Sequence, residues 1–282
     1  MTVAILGEEG SGKATFLTLL YTAQVKYSAD SKGDFRFYTE RKYLGIMADA
    51  MSGMMMGNWP GDELLKEDIR FTFGYGQRPT LMNKLFKSER LYKNLTFQLF
   101  DTSSSMYDRL KAQDARSGDI KDEVRDILRQ RIWVVLLNPI KKKDTALEMA
   151  NLLYNLAVNA SEPIHPLFVF TKFDRIDKKA LGITSEIPKK PEERKVLAQA
   201  IMKKYYKDLF KNLGSIQKFV EPAYFFVHVK AKKEGEKLTP QLKENSFGIP
   251  ELDYAYDEYV KLIQHLGKLA EGLGMDEKAK QS

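Results

Sequence analysis

The chain has 282 residues and a formal net charge of +7, with 43% hydrophobic and 29% charged side chains, a balance that suits one large α/β domain or two small ones. It has no cysteine, which excludes disulfides, thiolate metal sites and a cysteine nucleophile, and its three histidines, His165, His228 and His265, lack zinc-ligand spacing. The N-terminus lacks the basic start and apolar run of a signal peptide, and no stretch approaches the roughly 18 apolar residues of a membrane span, so a cytoplasmic protein without a transmembrane segment is expected.

In chain order, residues 3–6 form a short apolar run that stops at Gly7, as a buried first strand does. Residues 14–24 place Phe16, Leu19, Leu20 and Ala23 on one helical face. Residues 35–38 read as extended and 41–56 as helical. Met47, Met51, Met54, Met55 and Met56 have the spacing of core fillers, the alternative being an adaptable partner surface. Asn58-Trp59-Pro60-Gly61 breaks the pattern.

Residues 69–75 and 94–101 alternate apolar and polar side chains and are expected to pair antiparallel across a connection long for a hairpin. A charged helix is expected over 119–130, then an apolar strand over 132–137 that ends before Pro139. Further expectations are a helix over 144–160, a core strand over 167–171, and one long basic amphipathic helix over 191–213. The last strand is expected over 223–229 and the closing helix over 250–269. Alternation of strands and helices predicts a mostly parallel sheet covered on both faces. With no repeat or linker in sight, residues 1–274 are expected to form one domain with insertions and 275–282 a disordered tail.

Two motifs carry chemistry. Gly7-Glu8-Glu9-Gly10-Ser11-Gly12-Lys13 follows the first strand and opens the first helix, which fits the phosphate-loop pattern G-x-x-x-x-G-K. Its glycines let backbone N–H groups approach phosphates, and the helix N-terminus adds partial positive charge. Lys13 would reach the β- and γ-phosphates. The next position calls for a Ser or Thr hydroxyl on Mg²⁺, but here it is Ala14, with Thr15 about 100° further round the helix. Weakened magnesium binding is the expectation.

The second motif is Thr171-Lys172-Phe173-Asp174, directly after a core strand. An aspartate there can accept hydrogen bonds from both N1–H and the 2-amino group of guanine, a donor pair that adenine lacks. The stem of Lys172 can cover the ring, and Thr171 can tie this loop to the phosphate loop.

Together these segments resemble the Ras-like branch of P-loop GTPases, whose base-reading motif is N/T-K-x-D. The resemblance implies a three-layer α/β/α P-loop NTPase fold with a mostly parallel central sheet, both loops at the C-terminal edge of that sheet, and GTP or GDP with Mg²⁺ as cofactors. It implies nucleotide contacts from Gly7, Glu9, Gly10, Ser11, Gly12, Lys13, Ala14 and Thr15, with Thr15 near the α-phosphate, and from Thr171, Lys172 and Asp174. Lys230-Ala231-Lys232 stands where the family closes over the guanine with S-A-K, so Lys230 and Ala231 join the expected contacts, although the serine is absent.

The family's switch motifs are altered. Asp101-Thr102-Ser103-Ser104 occupies the place of D-x-x-G, with Asp101 placed to hold a magnesium water or, alternatively, to cap a strand end. Ser104 replaces the glycine whose N–H meets the γ-phosphate, and Ser105 replaces a water-orienting glutamine. Asp62, after Trp59-Pro60-Gly61, stands near the expected magnesium-binding threonine and is the second candidate metal ligand.

The expectation is a guanine-nucleotide-binding switch with slow GTP hydrolysis, in which Lys13 and Asp101 act on the phosphates. A protein partner would meet residues 41–62 and 101–118. The rival readings are a pseudo-GTPase scaffold that holds nucleotide without turnover, and a P-loop ATPase. Contact with a membrane surface or nucleic acid rests on charge alone.

Overall fold

The computed structural model describes residues 2–30, 35–39, 41–61, 64, 71–75, 93–99, 127–140, 144–160, 162–183 and 187–281. In chain order the elements are β1 (Thr2–Gly7), α1 (Lys13–Asp30), β2 (Phe35–Thr39), α2 (Arg41–Met55), β3 (Phe71–Tyr75), β4 (Lys93–Leu99), β5 (Ile132–Leu137), α3 (Asp144–Asn159) and β6 (His165–Phe170). There follow α4 (Pro191–Tyr205), α5 (Lys207–Leu213), β7 (Ala223–Phe226), β8 (Ala231–Glu234), β9 (Lys237–Pro240), β10 (Leu242–Glu244), β11 (Pro250–Leu252) and α6 (Tyr256–Gln281). The protein is α/β, with a four-stranded parallel sheet. No described helix is long and apolar enough to cross a membrane.

These elements fall into two compact units. One comprises Met1–Thr2, Ala14–Gln98 and Ala231–Ser282, the other Val3–Lys13 and Leu99–Lys230. The chain passes between the units at several points rather than once.

The second unit holds the parallel sheet, in the order β1-β5-β6-β7. Val3 pairs with Ile132, Ile132 with His165, and Leu167 with Ala223. Parallel strands buried on both faces need continuous apolar sequence, and Ile132–Leu137 supplies it, buried at every residue. The core also takes Leu152, Leu153, Leu156 and Ala157 from α3 and Leu197, Ala198, Ile201 and Met202 from α4. That spacing is the single apolar stripe of a surface helix. Trp133 meets Phe219 edge to face at 5.9 Å and donates its indole N–H to the Gln130 carbonyl at 3.0 Å.

Helix α4 starts with Pro191 at its first turn, followed by Glu192 and Glu193, and ends with Lys203 and Lys204, all favourable to the helix dipole. The single helix expected over 191–213 is broken into α4 and α5 at Tyr206, whose φ of −133° and ψ of 51° leave the helical region. Tyr206 is buried there, so its side chain turns into the core at the break.

In the first unit β2, β3 and β4 pair antiparallel, with Phe37 opposite Phe73 and Phe73 opposite Leu95, as the alternation over 69–75 and 94–101 predicts. Met47 and Met54 are buried, while Met56 is exposed. Two hairpins, β8–β9 and β10–β11, were not legible in the sequence. The closing helix is displaced accordingly. Residues 250–252 form β11, and α6 begins at Tyr256 and continues to Gln281, through the stretch expected to be disordered. Phe16 and Tyr259 pack with ring centroids 5.7 Å apart, and Lys26 pairs with Glu251 at 2.7 Å.

Candidate functional site at the strand ends of the parallel sheet

Because β1, β5, β6 and β7 run parallel, the segments that follow them leave the sheet at one edge: residues 7–13, 138–140, 171–175 and 227–230. Hydrogen bonds join these segments.

The segment 7–13 is a compact turn. Ser11 N–H donates to the Glu8 carbonyl at 3.1 Å. Gly10 and Gly12 have φ of 71° and 89°, conformations that side-chain-bearing residues rarely adopt. Gly7 is favoured for another reason, since a Cβ there would lie 2.6 Å from Ser11 Oγ, which would have to shift. Lys13, buried, donates from Nζ to the Gly7 carbonyl at 2.7 Å, so its ammonium lies over the first residue of the loop.

Thr171 forms the link that the sequence suggests. Its hydroxyl lies 2.8 Å from the Ser11 carbonyl and 3.2 Å from that of Leu137, and its N–H donates to Leu137 at 2.8 Å. A hydroxyl has one proton, so the shorter contact to Ser11 takes it. In a trans peptide the C=O and N–H point in opposite directions. Drawing the Ser11 carbonyl toward Thr171 therefore turns the Gly12 N–H the other way, away from Thr171.

Lys172 follows with φ 53° and ψ 34°, the one non-glycine residue at positive φ among the described residues. Its Nζ lies 3.4 Å from the Gly10 carbonyl. Phe173 anchors the next turn: it is buried 5.1 Å from the Phe226 ring, and its N–H donates to the Val227 carbonyl at 3.2 Å. Val227 N–H returns a bond to Phe170 at 2.9 Å, so the end of β7 is fastened to this turn. Asp174 lies in the 3-10 turn Phe173–Arg175, and its Oδ1 is buried with no hydrogen-bond partner. A buried carboxylate oxygen without a donor is a costly arrangement, and a ligand offering N–H groups would relieve it.

Sequence reasoning missed three further residues. Asn138, the first residue after β5, donates from Nδ2 to the Gly10 carbonyl at 3.0 Å. Its signal was present, as a polar side chain directly after a fully apolar strand, the position that Thr171 occupies after β6. Glu8 is buried, with Oε2 lacking a hydrogen-bond partner. Tyr206, at the α4–α5 break, is the third. Burial raises its hydroxyl pKa far above the usual value, and the Glu8 carboxylate adds to that shift. Nothing in the sequence announces an electrostatic influence between residues so far apart.

The other expected contacts stand as follows. Glu9 is exposed in the loop. Ala14 is buried in the first turn of α1, where its carbonyl accepts from Thr18 Oγ1 at 2.9 Å, and Thr15 follows it, half-buried. Lys230 is exposed after β7, and Ala231 opens β8 opposite Pro240. Asp62, Asp101, Ser104 and Ser105 lie outside the described residues, as does the partner region 101–118. Among the described residues no group of three His, Asp or Glu is placed to hold a metal. No known protein family matches this chain, and no curated protein matches its sequence.

Proposed function

We propose that this protein binds a guanine nucleotide, with the diphosphate in the loop 7–13 and the base against Asp174, as a divergent P-loop protein of Ras-like type. The observation that carries this reading is the bond from Thr171 Oγ1 to the Ser11 carbonyl at 2.8 Å, which couples a phosphate-shaped loop to a base-reading turn. The unpartnered Asp174 Oδ1 supports guanine in particular, because guanine presents two adjacent N–H donors to one carboxylate.

Lys13 would neutralise β-phosphate charge, and backbone N–H groups of the loop would donate to phosphate oxygens. The stem of Lys172 would cover one ring face. Mg²⁺ would be held weakly, since Ala14 supplies no hydroxyl, with Asp101 and Asp62 as its candidate carboxylates. Hydrolysis of GTP is accordingly slow, and partner proteins would read the bound state through residues 41–62 and 101–118. We place the protein in the cytoplasm, where GTP is abundant.

Titration with GDP, ADP and XDP tests the base assignment: GDP is expected to bind at least tenfold more tightly than ADP, and equal affinities would refute it. Ala14 also favours a second reading, a scaffold that holds nucleotide without turnover. Denaturing the purified protein and identifying the released nucleotide separates the two. Retained nucleotide with no phosphate release over hours supports the scaffold, whereas measurable turnover supports the switch.

A further inference from the structure

We propose that Asn138 is a positioning residue for the phosphate loop, one that fixes the peptide between Gly10 and Ser11 so that the loop is shaped for a diphosphate before any ligand arrives. This role rests on the nucleotide-binding reading.

Asn138 is 5% exposed and is held from below by the buried strand β5. Both ends of its amide are engaged. Nδ2 donates to the Gly10 carbonyl at 3.0 Å, and Oδ1 accepts the Ile140 N–H at 3.2 Å. The two bonds define its orientation, because only the nitrogen can donate and only the oxygen can accept.

The Gly10–Ser11 peptide is consequently gripped at both ends, its carbonyl by Asn138 and its N–H by the Glu8 carbonyl at 3.1 Å. It needs that grip. Gly10 carries no side chain and has φ 71°, so little else opposes rotation of this peptide. Lys172 Nζ lies at 3.4 Å from the same carbonyl, but it ends an exposed, flexible stem. The next peptide, Ser11–Gly12, is set by Thr171. Two buried side chains from the ends of adjacent strands thus fix two successive peptides of the loop. One of them lies outside the motifs from which such a loop is usually read.

Asn138→Leu keeps the branching and the number of side-chain heavy atoms and removes both bonds. Asn138→Ser is the second variant, for use if the leucine form does not fold. Each is compared with the parent protein for GDP binding, for GMP binding by displacement of a fluorescent GDP at millimolar competitor, and for melting temperature without ligand. The expected result is GDP affinity about tenfold weaker with GMP affinity changed by less than about twofold. The second phosphate is the part of the ligand that depends on the loop, and a purely structural role would not change the ratio of the two affinities. Equal weakening of GDP and GMP overturns the proposal, and so does a folded variant that binds GDP within twofold of the parent. A parent protein that binds no guanine nucleotide overturns the proposed function and this role together.

Discussion

A methyl group at Gly7 tests the packing of the loop 7–13 most directly. Its Cβ would lie 2.6 Å from Ser11 Oγ, 3.1 Å from Leu136 Cβ and 3.4 Å from Ser11 Cβ. Leu136 belongs to a fully buried strand and pairs with Gly7, so it yields little. Ser11 must move instead, although its carbonyl is held by Thr171 at 2.8 Å. Overpacking of this kind costs about 1–3 kcal/mol. Ser11→Ala removes the offending oxygen, and that hydroxyl is buried without a hydrogen-bond partner, so the single change should be neutral or stabilising by up to about 1 kcal/mol. In the double variant only the 3.1 and 3.4 Å contacts remain, and about half of the Gly7→Ala loss should return. Urea unfolding of the four proteins gives the coupling energy. Additivity within about 0.5 kcal/mol would show that Ser11 Oγ does not oppose the methyl group, and would refute the argument.

Asp174→Asn should weaken GDP at least tenfold and improve XDP relative to GDP, since an amide offers donors where xanthine carries an extra carbonyl; competition binding reads both. Ala14→Ser should make GDP affinity more sensitive to EDTA, and an unchanged response would mean that the magnesium site is not beside residue 14. Lys195 and Glu221 pair at 2.9 Å at the surface, and the hydrogen bond and charge of Lys195 hold the Glu221 carboxyl below its ordinary value while Lys195 is raised. Any stabilisation from that pair is present at neutral pH, is lost as pH falls through the lowered Glu221 value or rises through the raised Lys195 value, and is small because both groups are exposed; Glu221→Gln should leave the melting temperature at pH 7 unresolved from the parent. Lys172→Gly should leave the stability of the nucleotide-free protein unchanged or up to about 1 kcal/mol higher by urea unfolding, yet weaken GDP.

The parallel half of the fold was legible because buried parallel strands leave little choice of residue. The segments 3–6, 132–137 and 167–170 are almost wholly apolar and end at Gly, Asn and Thr. The loop 7–13 was legible for the same local reason, since two of its glycines sit at positive φ. What escaped is non-local. The break at Tyr206 depends on a tertiary site that accepts a buried phenol, and the helical pattern over 191–213 runs through it uninterrupted. The short strands Pro250–Leu252 and Leu242–Glu244 pair only with each other, and three residues are too few for an alternation to show. Asn138 has no motif around it, and its meaning appears only once Gly10 stands 3.0 Å away.

Lys172 supports the proposed recognition turn through its backbone conformation. An L-residue held near φ 53° costs about 1–2 kcal/mol relative to the right-handed region, and glycine would avoid that cost at the price of about 0.5–1 kcal/mol in chain entropy. For folding alone, lysine is therefore no better than glycine here. The turn persists because its neighbours over-determine it: Thr171 is bonded to Leu137 and Ser11, and Phe173 is buried against Phe226 and bonded to Val227. The next residue, Asp174, adds a buried oxygen with no donor, a second unfavourable feature within three residues. Strain and an unpartnered buried acceptor placed side by side, on a frame rigid enough to hold both, are what the proposed recognition turn requires. If Lys172→Gly instead lowered the stability of the nucleotide-free protein by more than about 1 kcal/mol, the lysine side chain would be a structural support, and the turn would lose its claim to have been shaped by a ligand.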